Sequence, residues 1–383
     1  MTKGILGTLA GIVFLRVLGV SLLFAGFAEH AHALGGSTIA AGLAFGAYPL
    51  ALAAFMLPLA ALSDRVGRRP VMLAALAVSA GGGIAAAFAP DITTLALARF
   101  VQGAGAVNGV ALALAGEIGE PDRRTRRMAL LGAAAGIGFA AGILLGAWLT
   151  PAIGVPGLLL GHSVVSLALL VPVWRLVPAS PPAASASASA IPPAASASPS
   201  APGRVDARVY TLGAAAFAIN LALTGLLFLS PLLITGIPYA LAVTLMVLPG
   251  GLGMFLAARL ADRGHARAVG LAGALLLGLA PLAFLALVHV PGPALVAAGM
   301  LFFVGHSSLS SLLPSLASAT ATEGRRGFSQ GVQSTMQYVG SFLGASLMGA
   351  LYPRAAPLAA AFLVAGAIVA LAVARATVAT PPS

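Results

Sequence analysis

The sequence predicts an all-α membrane protein with twelve transmembrane helices in two six-helix bundles. Three observations carry this. Hydrophobic residues make up 60% of the 383 and charged residues only 8%, whereas a soluble domain carries roughly 25% charged residues. Such a chain cannot cover a water-facing surface, so lipid is its main solvent and a standing partner. Apolar runs of about 20 residues, the length that crosses a bilayer core, recur along the whole chain. The basic residues fall almost wholly into alternate loops between those runs.

The predicted spans lie at 4–29, 38–62, 71–89, 92–117, 127–149, 154–175, 208–234, 238–258, 268–289, 293–317, 328–351 and 355–375. Each is bounded by charge, proline or glycine. Barrel strands do not fit, because they need about 10 residues of alternating polarity and these runs are apolar on every face. The first run is long for a signal-peptide core and no small-residue cleavage site closes it, so it is read as a retained helix. With the N-terminus inside, 17 of the 20 lysines and arginines face the cytoplasm; Arg354 alone lies outside, and Arg16 and Arg99 fall within spans. This one-sidedness matches the positive-inside rule. It puts both termini in the cytoplasm, points to an inner (cytoplasmic) membrane, and accounts for the net charge of +11 without a nucleic-acid partner. With no cysteine there is no thiolate metal site and no cysteine nucleophile. The sequence calls for no cofactor.

One segment departs from the pattern. Residues 178–203, PASPPAASASASAIPPAASASPSAPG, are too poor in large apolar side chains to bury a core and read as a flexible linker. The organisation is therefore an N-terminal bundle at 1–177, a cytoplasmic linker at 178–207 and a C-terminal bundle at 208–383. The halves repeat: LSDRVGRR follows the second span and LADRGHAR the eighth, with Asp64 and Asp262 in equivalent places. Paired repeats around a midplane cavity are a recurring transporter plan.

The strongest motif is A60-A-L-S-D-R-V-G-R-R69. Gly67 permits a very short turn, Asp64 is suited to the positive end of a helix dipole, and Arg65, Arg68 and Arg69 can pair with acids or lipid phosphates. The bland alternative, a basic juxtamembrane loop, is weakened by the second copy at Asp262 and Arg263. This loop resembles the G-x-L-A-D-R-x-G-R-K signature of the major facilitator superfamily, with Ala60 in place of the first glycine. R99-F-V-Q-G-A-G-A106 resembles that superfamily's arginine motif, G142-I-L-L-G-A147 its antiporter motif in part, and residues 313–344 the matching region of its bacterial drug:proton antiporter group. The resemblance implies a conformational latch at Asp64, Arg65, Gly67, Arg68, Arg69, Glu117, Asp262 and Arg263. It implies a part for Arg99 in proton transfer; Glu29 and His306 are then the leading candidates for the titrating group, with Asp64 as the fallback. It also implies that Gly142, Gly146, Gly340 and Gly344 lie where the halves meet, at spans 5 and 11.

An arginine at helix centre costs roughly 2.5–3.5 kcal/mol on insertion scales, so Arg16 and Arg99 need a function or a partner; Arg16 reads equally well as a snorkelling structural cation. Glu29, His30 and His32 cluster at the outer end of span 1, as an interfacial anchor, a proton sensor or a metal site, of which the anchor is the commonest case. Polar side chains deep in lipid need a partner or a wet cavity. Asn220, His306, Gln333 and Gln337, on spans 7, 10 and 11, are expected with Tyr48 to line a substrate pocket; His162 is expected to pack. No metal cluster is expected.

Together these features predict a monomeric secondary transporter that exports small lipophilic or amphipathic compounds, driven by protons. A uniport or symport permease for metabolites or sugars is the alternative. No P-loop supports ATP coupling, and no nucleophile–base constellation supports an enzyme.

Overall fold

The computed structural model describes residues 2–119, 123–178, 207–234, 236–286, 293–320, 326–352 and 354–377. These are helical almost throughout, with no strand among them. The chain divides into two compact units, Met1–Pro193 and Ala194–Ser383. Of the expected linker, residues 179–206 lie outside the described residues. Among the described residues nine helical stretches are long and apolar enough to cross a membrane. Two of these, Arg126–Leu176 and Tyr239–Ala283, each hold two of the predicted spans. Large apolar side chains such as Phe88, Leu97, Ile137 and Leu252 are exposed, as expected of surfaces solvated by lipid.

In the first unit, α1 (Thr2–Ser21) stops short of the predicted span, and α2 (Phe27–Ala33) follows after a tight turn. Gly26 sits in that turn, where a Cβ would strike the Thr150 side chain. α3 (Thr38–Val66) starts at Ser37, whose hydroxyl accepts from the Ala40 amide at 3.2 Å, an N-cap. It ends at Gly67, whose φ of 103° suits glycine alone, and α4 (Arg68–Ala87) begins at once. The loop between spans 2 and 3 is therefore one residue long.

The fourth span is two helices, α5 (Ile92–Ala104) and α6 (Val107–Glu117). Between them the Val107 amide donates back to the Gly105 carbonyl at 2.8 Å, an inverse γ-turn. α7 (Arg124–Ala168) runs through Gly154 at φ 66°, where span 5 gives way to span 6. Pro156 follows, and a proline lacking an N–H is tolerated at a helix start. α8 (Leu170–Leu176) closes the unit.

The second unit holds α9 (Ala207–Leu233), α10 (Tyr239–Leu260), a π-helical turn at Ala261–His265, α11 (Ala266–Ala286), α12 (Pro293–Thr320), α13 (Arg326–Leu351) and α14 (Ala355–Thr377). Gly264, at φ 88°, turns the chain from span 8 into span 9. The repeat read from the two Asp-Arg loops extends to the packing. In the first unit α1 packs on α7, α3 on α5, and α4 on α5 and α7; in the second α9 packs on α13, α10 on α12, and α11 on α12 and α14.

Glycine lets the first of these pairs approach. A Cβ on Gly142 or Gly146 would meet the Leu18 or Leu22 carbonyl of span 1, and one on Gly340 or Gly344 the Phe217 or Leu221 carbonyl of α9. These four glycines, expected where the halves meet, each make their close approach inside their own unit, which is the small-residue packing of membrane helices.

Candidate functional site

Three polar constellations stand out within this apolar scaffold. The first lies at the end of α3 and the start of α4. Arg68 is almost fully buried because α4 begins with it directly beneath the Gly67 turn. Its guanidinium forms ion pairs with Asp64 and Glu117, and it donates to Glu117 Oε2 at 3.3 Å, to the Ala60 carbonyl at 3.2 Å and to Ser63 Oγ. Glu117 belongs to α6, so this arginine ties span 2 to span 4. Arg69 stacks over the Trp174 ring at 5.1 Å, a cation–π contact, while Arg65 is exposed.

The second copy is built differently. Asp262 and Arg263 sit in the π-helical turn, where no residue is buried, and neither forms an ion pair among the described residues. Residues 321–325, just ahead of span 11, lie outside the described residues.

The second constellation is buried in the first unit. Arg16 on α1 and Arg99 on α5 are 1% and 0% exposed. Both lie over the ring of Tyr48 from α3, at 5.2 and 4.5 Å to its centroid, and Arg99 also lies 5.8 Å from the Phe27 centroid. Arg16 Nη1 donates to Ser79 and Arg99 Nη1 to Gln102. Among the described residues, Nε and Nη2 of both guanidiniums, the Tyr48 hydroxyl and both ring nitrogens of His162 have no hydrogen-bond partner. Burying a cation costs several kcal/mol even after relaxation, and a desolvated cation–π contact returns about 2 kcal/mol or more. Ring faces and one hydrogen bond each do not neutralise two guanidiniums.

His162, expected to pack, does so: a Cβ on Gly19 would collide with its ring. It nevertheless belongs to this polar cluster. Tyr48 is expected in one pocket with residues of the C-terminal half; within the first unit its ring is the one over which both buried arginines lie.

The third constellation lies in the second unit. A cavity of about 120 Å³ is lined by Ala216, Ile219, Asn220, Ser310, Leu313, Pro314, Gln333, Ser334 and Gln337. It brings together three of the expected pocket residues, from α9 and α13. His306 is one turn away on α12, its Nε2 3.3 Å from Ser310 Oγ and its ring stacked on Phe302. Asn220 Nδ2 donates to the Ala216 carbonyl at 2.9 Å, which leaves its oxygen for the cavity. Gln333 Oε1 is buried without a partner among the described residues. Ser334 was not singled out in the sequence; its helical spacing from Gln337 was the available signal.

The acidic residues near the outer surface stand apart. Glu29 is exposed and forms no ion pair with Arg99 among the described residues. His32 Nδ1 lies 2.8 Å from the Gly36 carbonyl, and partial burial lowers the pKa of His30. No group of three metal-binding side chains occurs among the described residues. Asp91 caps α5, accepting from the Thr93 and Thr94 amides at 2.9 and 2.8 Å. The Thr94 amide and hydroxyl, then the Thr93 amide, hold its carboxyl below the usual carboxylate range.

The sequence profile of the Major Facilitator Superfamily matches residues 9–240 and 234–383. The chain belongs to that superfamily. The inner membrane transport protein YajR of Escherichia coli (strain K12) is 29% identical over 351 residues, which cover 88% of this chain and 75% of that protein. The multidrug resistance protein MdtL of Shewanella sp. (strain ANA-3) is 32% identical over 96 residues, 25% of this chain and 24% of MdtL. The crystal structure of the human organic anion transporter MFSD10 (TETRAN) superposes with a TM-score of 0.68, covering 98% of this chain and 99% of that one at 20% identity; this likeness bears on the fold alone. A multi-pass membrane transporter of the major facilitator fold is thereby established.

Proposed function

We propose that this chain is a secondary active transporter that exports small lipophilic or amphipathic compounds by proton antiport with alternating access, working as a monomer in the inner membrane with both termini cytoplasmic. The cavity among Asn220, Ser310, Gln333 and Gln337 carries the reading. Amides and hydroxyls set in walls of leucine, isoleucine and proline suit a compound with one polar end and an apolar body. The Arg68 cluster supports it as the catch of a two-state machine: contacts made in only one conformer bias the equilibrium between conformers. Partial likeness to a multidrug resistance protein favours export of such compounds. Arg99 is the residue proposed to link substrate to protons, acting on Glu29 or His306 as the titrating group.

A second reading, facilitated diffusion of a metabolite, is favoured by one observation. Among the described residues every carboxylate sits in a loop or near a helix end, so none is placed mid-span to carry a proton. Purified protein in liposomes with an imposed pH gradient separates the two. Antiport drives a fluorescent amphipathic compound against its concentration gradient, and Arg99→Ala abolishes that uphill movement. Equilibration that ignores the gradient removes proton coupling and export together.

A further inference from the structure

We propose that the buried arginine pair of the first unit is an oxyanion site, and that the transported compounds include amphipathic molecules with a carboxylate-type head group. The proposal rests on the transporter reading and narrows its substrate class.

Four observations meet here. Arg16 and Arg99 both lie over one Tyr48 ring and are essentially unexposed, and an arginine side chain does not shed its proton in a protein, so two positive charges share one apolar site. None of the described acids of the first unit forms an ion pair with either arginine among the described residues. Asp64 and Glu117 pair with Arg68, Asp91 caps its own helix, and Glu29 is exposed; Glu120 and Asp122 lie outside the described residues. The two guanidiniums are held alike: Nη1 is anchored, on Ser79 and on Gln102, while Nε and Nη2 are left without a partner. Those two N–H groups form the edge of a guanidinium that takes both oxygens of a carboxylate or phosphonate in parallel hydrogen bonds. A lysine offers no such edge. Finally, the Tyr48 hydroxyl and the His162 ring nitrogens, also unpartnered, add polar groups that can follow the shape of the head group.

Anchored Nη1 atoms also argue against disorder or snorkelling as the reason for the free edges. The anchors fix each fork in place while leaving its binding edge open, which is pre-organisation for a planar or tetrahedral oxyanion. A cationic substrate is excluded by the same charges.

The test compares three probes that share one skeleton: 4-phenylbutyrate, 4-phenylbutyramide and 4-phenylbutylamine. Each is titrated against the purified full chain, and thermal unfolding is followed through the fluorescence of Trp148 and Trp174. An arm with phenylalkyl phosphonate compares the two oxyanion shapes. The carboxylate is expected to stabilise at concentrations about tenfold or more below those of the amide, the loss of a charge-assisted pair being worth at least that factor. The amine is expected to have no effect. Arg16→Lys and Arg99→Lys keep the charge and lose the fork, and each is expected to erase the preference for the carboxylate. Equal action of the three probes, or stabilisation by the amine, overturns the proposal even if both variants fail to fold. A carboxylate preference that survives in both folded variants places the anion elsewhere and also overturns it. No gradient is present in this assay. A lack of uphill flux therefore leaves the probe ranking standing, and a flat ranking leaves flux of neutral compounds standing.

Discussion

Glu117→Gln tests whether the Arg68 cluster is a catch or only a brace. The wild-type carboxylate accepts from both Nε and Nη2 of Arg68. Glutamine keeps one acceptor oxygen and loses the charge. Arg68 retains Asp64, Ser63 and the Ala60 carbonyl, so it is not stranded, and the 3–5 kcal/mol cost of an unpaired buried charge does not apply. What is lost is charge assistance to two hydrogen bonds. A hydrogen bond to a charged group is worth about 1.5–3 kcal/mol, reduced where solvent screens one partner, and the Glu117 side chain is 33% exposed. The expected loss is therefore about 1–2 kcal/mol. If the contact is made only in the outward-open conformer, this shifts the conformational equilibrium about tenfold, since 1.4 kcal/mol is a factor of ten. The chain has no natural cysteine, so a single cysteine introduced at Ser334, on the cavity wall, reports access. Labelling from the cytoplasmic side by an impermeant maleimide should quicken about tenfold in the Glu117→Gln background, and Asp64→Asn should act in the same direction. A lower unfolding temperature with unchanged labelling would show that Arg68 merely ties span 2 to span 4, and the catch would have to be abandoned.

Other expectations concern packing and capping. Gly340→Val places carbon against the Phe217 backbone, and overpacking of this kind costs about 1–3 kcal/mol. It should lower the thermal midpoint, whereas Gly132→Ala, which meets nothing within 4 Å, should leave it unchanged or raise it slightly. Asp91 has its carboxyl pKa below the ordinary 3.8, so its cap stabilises the fold fully above that pH and less as pH falls through the lowered value. The stability gap between wild type and Asp91→Ala, measured by thermal unfolding across a pH series, should be constant above pH 3.8 and close below it.

The span positions were legible because lipid imposes a coarse demand, about 20 apolar residues in a row, which hydropathy reads directly. The turns at Gly154 and Gly264 were legible in part, each interrupting an apolar pattern with a residue that accepts positive φ. The break at Gly105–Ala106 was not, since apolar character runs straight through it. Arg16 and Arg99 announced themselves as buried cations, but what surrounds them did not. Tyr48, Ser79, Gln102 and His162 come from four helices, and nothing local in the sequence says that they converge. The roles expected of the motif glycines came from resemblance, while their packing partners depend on which helices pair within each unit.

The broken fourth span has a consequence for biogenesis. At 1.5 Å per residue, the 13 residues of α5 reach about 20 Å and the 11 of α6 about 16 Å. Neither crosses a hydrocarbon core of about 30 Å alone. The most apolar 18-residue window of Ile92–Glu117 has a mean hydropathy of 1.3, the lowest such value among the nine membrane-length stretches of the described residues, and the stretch carries Arg99. When this segment leaves the ribosome it is a poor candidate for lateral release into lipid by itself. The stretch whose Tyr48 lies against its guanidinium, α3, precedes it in the chain and is synthesised first. Entry of the fourth span into the bilayer is thus an act of docking as much as of partition, and substitutions on the α3 face that receives it should be met first by the cell's quality-control proteases.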